Sequence, residues 1–260
     1  MSSAFTRADL ETRVRALDTQ SRLSGVGRLR SWVLEVLAPR PGERVADIGS
    51  GTGEHVRAMA EAVGAQGEAI GVEPNDGMRA EAARRAASSG VTFVAGSAYA
   101  LPFADASVDV VTCERVFQHL RSPAEAAGEI ARVLRPGGRV AVTDTDWATA
   151  IVHPGDPDTV GAVGAAMRAG ITNPLAGRLL PGQLTAAGLT VDDIGSQALV
   201  QSREAATGPL MTMLGRMARD RGAISEARRA SFMADVAAGA ERGDFLMSVT
   251  MFAVAGHRPV

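Results

Sequence analysis

The sequence predicts an α/β fold: a Rossmann-like doubly wound sheet, mostly parallel, of seven strands with the last antiparallel, with N-terminal helices and a helical lid insertion. Three observations carry that reading. Short apolar runs alternate with segments of helical periodicity from residue 43 to residue 147. A glycine-rich corner, VADIGSGTGE at residues 45 to 54, joins the first of these runs to the first of these helices. The tail DFLMSVTMFAVAGHRP alternates like a strand after a helical stretch, which suits antiparallel pairing at the sheet edge.

Taken in order, residues 6 to 17 and 26 to 38 space their apolar side chains as helices do: Leu10, Val14 and Leu17, then Leu29, Val33 and Leu37. The Pro39-Arg40-Pro41-Gly42 breaker ends the second. Val45, Ala46 and Ile48 form the first strand, and Glu54 to Val63 the helix beyond the glycines. A second strand follows at 69 to 74, a helix at 75 to 89, a third strand at 91 to 97 and a fourth at 108 to 116. Ser122 as N-cap and Pro123 in the first turn open the next helix, RPGG at 135 to 138 is a turn, and RVAVTDTDW at 139 to 147 is the fifth strand. Beyond Trp147, Asp156 caps a helix over 156 to 170, and a helix containing Pro181 spans 174 to 188. LTVDDIGSQALVQ holds a sixth strand, and residues 204 to 242 give two further helices, the lid. The chain reads as one domain over 1 to 260: residues 1 to 42 are N-terminal helices, 43 to 147 a cofactor-binding half, and 148 to 260 a substrate-side half.

Composition narrows the partners. With 260 residues, 46% of them hydrophobic, and a net charge of -2, the chain can bury a full core and offers no electrostatic case for nucleic acid. All 27 basic residues are arginine, which excludes P-loop and lysine Schiff-base chemistry. The lone Cys113 leaves no internal disulfide, and with four scattered histidines it gives no zinc spacing, so no metal is expected. The first residues lack an apolar signal core and no run approaches a membrane span, so a cytoplasmic protein is expected.

The glycine corner selects a ligand. Gly49, Gly51 and Gly53 supply positive φ and bare backbone where a helix N-terminus presents unpaired N–H groups. A dinucleotide loop would place a third glycine at position 54, where Glu54 stands, and Asp47 adds a second carboxylate two residues before Gly49. Phosphate would be repelled. The corner suits a phosphate-free ligand with cationic groups, such as the ammonium and sulfonium of S-adenosylmethionine. Glu73 ends the second strand 20 residues after Gly53, where a doubly wound site sets an acid against the ribose hydroxyls.

Joined to the ordered segments GSAYALPFADASVDVV, ERVFQHL and ARVLRPGGRV, these features make the sequence resemble a class I S-adenosylmethionine-dependent methyltransferase of the UbiE-like small-molecule group, strongly over roughly residues 43 to 147. The resemblance implies methyl transfer from S-adenosylmethionine to a small-molecule acceptor by in-line displacement, leaving S-adenosylhomocysteine. Two alternatives stand beside it: an S-adenosylmethionine-binding protein of the same fold with a non-methylating or regulatory role, and a nicotinamide-dependent oxidoreductase. It further implies that the backbone of Gly49, Ser50, Gly51 and Gly53 underlies the methionine moiety and that Asp47 helps to hold its ammonium. Glu73, followed by Pro74, takes the ribose, and the Glu114 backbone lines the methionine end. Ser97 stands where the family usually has an aspartate accepting from the adenine amino group, and the Ala98 N–H meets a ring nitrogen. A hydroxyl there forgoes a charge-assisted contact.

Methyl transfer from a sulfonium needs alignment and exclusion of water before it needs an acid or base. A hydroxyl or protonated amine acceptor also needs a base near the C-terminal ends of strands four and five, and His119 and Asp146 are the candidates. Asp144 and Asp146 flank Thr145, and only one of the two is expected to face the crevice. Trp147 and His153 are expected near the acceptor. Leu210, Met213, Leu214 and Met217 form an apolar stripe in the insertion, part of which is expected to contact it.

Overall fold

The computed structural model describes residues 7–87 and 89–260. Thr6, the expected start of the first helix, and Ser88, within the expected fourth, lie outside them. The described elements are, in order, α1 (Arg7–Ser21), α2 (Ser24–Leu37), β1 (Arg44–Ile48), α3 (Glu54–Val63), β2 (Glu68–Val72), α4 (Asp76–Arg85), β3 (Val91–Val94), β4 (Val108–Glu114), α5 (Pro123–Val133), β5 (Leu134–His153), α6 (Pro157–Arg168), α7 (Ala176–Ala186), β6 (Thr190–Val200), α8 (Pro209–Asp220), α9 (Glu226–Arg242) and β7 (Leu246–His257). Two short 3-10 helices, Phe117–His119 and Arg203–Thr207, fall after β4 and β6. No described helix is long and apolar enough to cross a membrane.

The seven strands form one sheet in the order β3-β2-β1-β4-β5-β7-β6. β1 to β5 pair in parallel, and β7 pairs antiparallel with both β5 and β6, so it is the one reversed strand. Chain order turns back between β1 and β4, and a crevice therefore opens at their C-terminal ends. The reversed last strand agrees with the sequence reading, but its place does not: β7 lies inside the sheet and β6 is the edge. The reason is burial. Met247, Met251, Ala253, Val254 and Ala255 of β7 are all nearly inaccessible, whereas β6 exposes Ile194 and Val200.

Strand alternation divides the core into two layers. Ile48, Val111, Cys113 and Val142 face Ile130 of α5 and Leu180 and Leu184 of α7. Val45, Val110, Ala141 and Met251 face Leu29 and Val33 of α2 and Val56 and Met59 of α3. Strands covered on both faces read as nearly continuous apolar runs, which is why β1 and β4 stand out in sequence. A third cluster, Val163, Met211, Leu214, Phe232, Val236 and Met247, packs α6, α8 and α9 together. In α8 the buried positions are Met211, Leu214 and Ala218 while Met213 is exposed, so the expected stripe is rotated by one residue, about a quarter turn.

Several boundaries differ from expectation for local reasons. β3 stops at Val94 because a Cβ at Gly96 would lie 2.7 Å from Val72 Cγ1, which brings that backbone hard against β2. Ser122 occupies the N-cap of α5 without a side-chain cap bond, whereas Asp156 caps α6 by accepting from Thr159 N. β5 takes in the RPGG segment, where Gly137 has φ 74° and the register against β4 shifts. A second bulge interrupts β5 between Asp146 and Ile151, at the crevice mouth. Bulges at such places re-aim side chains, and this one carries Trp147.

Candidate functional site

The glycine corner forms the crevice floor. Gly49 and Ser50 donate backbone N–H bonds to Val72 O at 2.8 and 3.1 Å, tying the loop to the end of β2. Gly49 and Gly53 have φ of 69° and 77°, and a Cβ on either would lie about as close as 2.4 Å to Val116 or 2.5 Å to Phe93. Glycine is thus required twice over, by conformation and by space. Glu73, 8% exposed, reaches beneath the loop: Oε2 accepts from Gly51 N at 3.2 Å and Oε1 from Asn75 N at 2.9 Å. Burial raises its carboxyl above the ordinary value against the pull of those two N–H groups. Each oxygen keeps a lone pair for a further donor. Pro74 beside it is exposed. α1 covers this floor: Leu17 Cδ1 lies 3.3 Å from where a Gly51 Cβ would be, and Asp18 pairs with Arg85 of α4 at 2.7 Å.

A polar box lies on the β4 side of the loop. Asp47 is paired in register with Thr112, whose hydroxyl donates to Asp47 Oδ1 at 2.9 Å. Glu114, two residues up β4 on the same face, is gripped by Arg30 of α2 through Nε and Nη2 at 2.7 and 2.8 Å. Arg30 Nη1 also meets Glu54 at 3.0 Å, and Arg115 Nη2 meets Glu114 at 3.0 Å. Burial pushes the Asp47 carboxyl up to about 6; burial would raise Glu114 as well, but Arg30 and Arg115 hold it at about 2. His55, the second residue of α3, is 6% exposed and closes the box, and neither ring nitrogen has a hydrogen-bond partner among the described residues. Nothing in the sequence spacing ties Arg30 to Glu114 or singles out His55.

On the β5 side of the crevice, Asp144 and Asp146 lie on the same face of the strand, as i and i+2 positions must, which corrects the expectation that only one would turn that way. Their roles differ by partner. Asp144, wholly buried, accepts from Gln118 N at 3.0 Å and Thr145 N at 2.7 Å, and so holds the 3-10 turn Phe117–His119 in place. Asp146, 1% exposed, pairs with Arg178 of α7 and accepts from Ala148 N at 3.0 Å. Trp147 donates its indole N–H to Gln118 Oε1 at 2.8 Å, bridging the β5 bulge to the same turn. His119 sits at the rim, its pKa lowered by partial burial and by the charges of Arg13 and Arg115. Ser97 is three residues beyond β3, where its hydroxyl accepts from Tyr99 N at 3.2 Å, with Ala98 beside it. His153 is exposed at the end of β5, opposite Leu246, roughly 14 Å along the sheet from Asp146, so the structure does not bring it to the crevice.

Burial pushes the Asp144 carboxyl from 3.8 up to about 7. An acid raised in the folded state stabilises the fold below its unfolded pKa, and that contribution is lost as pH rises through its folded pKa, here between about 4 and 7. Urea unfolding of Asp144→Asn is expected to show a smaller loss of stability from pH 4.5 to pH 8 than the parent protein. An unchanged difference would assign the pH dependence elsewhere.

Residues 46–142 match the methyltransferase domain family. Two curated relatives are an uncharacterized methyltransferase of Schizosaccharomyces pombe, 32% identical over 167 residues (60% of this chain and 60% of that protein), and the ubiquinone/menaquinone biosynthesis C-methyltransferase UbiE of Roseobacter denitrificans, 34% identical over 134 residues (49% and 53%). The chain spans about half the length of such relatives. Among solved structures, the YcgJ protein of Bacillus subtilis superposes with a TM-score of 0.61 at 20% identity, covering 89% of this chain and 98% of that one. That likeness bears on the fold. With the glycine corner, Glu73 and the seven-stranded sheet in place, residues 46–142 are similar to the methyltransferase domain family and, among its members, to UbiE-like S-adenosylmethionine-dependent methyltransferases.

Proposed function

We propose that this protein transfers a methyl group from S-adenosylmethionine to a small-molecule acceptor. The observation that carries the reading is the pairing, across one glycine corner, of a buried ribose-level acid, Glu73, with a carboxylate-lined box at Asp47 and Glu114. The residues fit the donor. Glu73 keeps lone pairs for two ribose hydroxyls, the acids suit an ammonium and a sulfonium, and Glu54 and Asp47 disfavour the pyrophosphate of a dinucleotide. Gly49 and Gly51 leave bare backbone where a side chain would fill the cradle. Ser97 and Ala98 lie at the end of the third strand's connection, on the adenine side in this reading.

When bound, the donor supplies a methyl carbon already activated by its sulfonium. The protein's part is to hold, align and keep dry. Asp47 and the Glu114 backbone orient the amino-acid end, Glu73 fixes the ribose, and α1, with Leu17 over Gly51, shields the loop from water. Asp146 is committed to Arg178 and Ala148 N, which leaves it to anchor α7 against β5. The base falls to His119 at the rim: its lowered pKa leaves the imidazole neutral at pH 7, ready to take a proton from a hydroxyl or ammonium acceptor. Trp147, fixed by Gln118, offers the acceptor an apolar face. The matched domain ends at residue 142, before Asp146, Trp147 and Arg178, so the quinone chemistry in the UbiE name is not carried over.

The test is radiolabelled donor offered with a panel of phenol, amine and carbon acceptors, reading S-adenosylhomocysteine release. With a hydroxyl acceptor, His119→Gln is expected to lower kcat about a hundredfold, within the usual range for a general base, with KM for the donor unchanged. Micromolar binding of NAD without binding of S-adenosylhomocysteine would overturn the reading. Tight donor binding without turnover on any acceptor favours a regulatory role instead.

A further inference from the structure

His55 presents an unresolved polar account. A buried imidazole without a partner is costly, and a polar group left so in a native protein calls for a ligand or a water to satisfy it. Its position can be read from its neighbours. Met59, one helical turn further along α3, places its sulfur 3.7 Å from the Thr112 hydroxyl on β4. α3 runs back along the sheet, so one turn toward its N-terminus sets His55 over the next residue of that strand face, Glu114. Asp47 borders the same space through its bond to Thr112, and Arg30 closes it from α2. His55 is thus turned into the box at the loop end of the crevice, under the N-terminus of α3.

The box has acceptors in surplus and a shortage of donors. Asp47 and Glu114 supply carboxylate oxygens for an ammonium. Arg30, the nearest cation, is spent: Nε and Nη2 go to Glu114, and Nη1 to Glu54 and Ser21. An α-amino acid brings a carboxylate along with its ammonium, and the carboxylate must find an N–H donor once removed from water. Ser50 Oγ, also buried and unpartnered, lies on the other side of the loop against Gly71 and Phe93. Arg115 Nε is likewise buried without a partner among the described residues, but that guanidinium already gives Nη2 to Glu114 and Nη1 to Gln20. His55 is the side chain of the box whose polar atoms are all unpartnered among the described residues, and the first N–H groups of a ten-residue helix stand beside it.

We propose that His55 binds the amino-acid end of the methyl donor, its ring N–H donating to the donor's α-carboxylate while Asp47 takes the ammonium. The proposal rests on the donor assigned above and deepens it, because it names the side chain that distinguishes an intact amino-acid end from a bare adenosine thioether.

Two ligands separate the proposal from its premise: S-adenosylhomocysteine, and 5′-methylthioadenosine, which keeps the adenosine and sulfur but lacks the amino-acid end. By calorimetry, His55→Leu is expected to weaken S-adenosylhomocysteine at least about tenfold, a lost hydrogen bond to a charged group, while 5′-methylthioadenosine binds within about twofold of the parent. His55→Gln, which keeps an N–H donor, is expected to recover part of the loss. The unmodified protein gives a readout independent of any variant's folding: with four histidines in the chain, the His55 ring nitrogens are expected to shift in 15N NMR with S-adenosylhomocysteine and to stay in place with 5′-methylthioadenosine. Unchanged S-adenosylhomocysteine affinity in His55→Leu, an equal loss for both ligands, or identical shifts with both would overturn the His55 assignment. Failure of the unmodified protein to bind either ligand would overturn the donor assignment itself.

Discussion

Replacing Gly49 with alanine is expected to cost about 2–5 kcal/mol of stability and to abolish donor binding, the two penalties being left-handed strain and overpacking. The strain arises because φ is 69°, a region that an L side chain enters at a cost. The overpacking arises because the new methyl would sit 2.4 Å from Val116 Cγ2, and Val116 directly precedes the turn that carries His119. Relief must come from moving the loop off β2, which breaks the bonds from Gly49 N and Ser50 N to Val72 O, or from pushing the 3-10 turn off Asp144. Either movement spoils the crevice. Gly182→Ala is the control: it lies in α7 with open space around its Cβ position, and helix propensity makes it neutral or stabilising by up to about 1 kcal/mol. Urea unfolding and calorimetry with S-adenosylhomocysteine read both effects. A Gly49→Ala protein as stable as Gly182→Ala would remove the steric argument.

Glu73→Ala is expected to weaken donor binding roughly a hundredfold, since it would delete the proposed charge-assisted bonds to two ribose hydroxyls, worth about 1.5–3 kcal/mol each before compensation by water. It also strands the N–H groups of Gly51 and Asn75, so the loop and the cap of α4 loosen together. Glu73→Gln separates the two effects, because an amide oxygen can still accept from one of those groups. The pH dependence has a definite sign. Burial raises the Glu73 carboxyl, and the ionised form is the acceptor, so donor affinity is expected to fall on acidification and to begin falling at a higher pH than for an ordinary carboxylate. In Glu73→Gln that fall should disappear. Full donor affinity in Glu73→Ala would remove the ribose assignment.

What could be read from sequence was whatever is local. The three glycines, the apolar run before them and Glu73 twenty residues on belong to one strand-helix-strand unit, and local spacing fixes their relative places. Asp156 and Pro123 mark helix starts for the same reason. What escaped depends on contacts between distant segments. Arg30 and Glu114 stand 84 residues apart, Asp146 and Arg178 32 apart, and no periodicity links either pair. The site of β7 escaped because alternation tells which face of a strand is buried and not which strands lie beside it. The β5 bulge escaped because the four residues Trp147 to Ala150, which stand opposite Val249 alone, look like strand in composition. Its architecture is tertiary: Trp147 N bonds to Pro174 O, and Thr250 N bonds to the Thr149 hydroxyl. His55 was overlooked because its signal is the absence of a partner, which only packing can create.

The interior placement of β7 also sets the order in which the molecule can assemble. β6 has one strand partner, and that partner, Leu246–His257, is synthesised only after α8 and α9. During vectorial synthesis the glycine corner and β1 to β5 are complete while β6 still has no neighbour to pair with, and Trp32 of α2 waits for Gly195 to cover it. The glycine-corner side of the crevice can therefore form on the ribosome, and the β5 side is completed only when the last strand slides between β5 and β6.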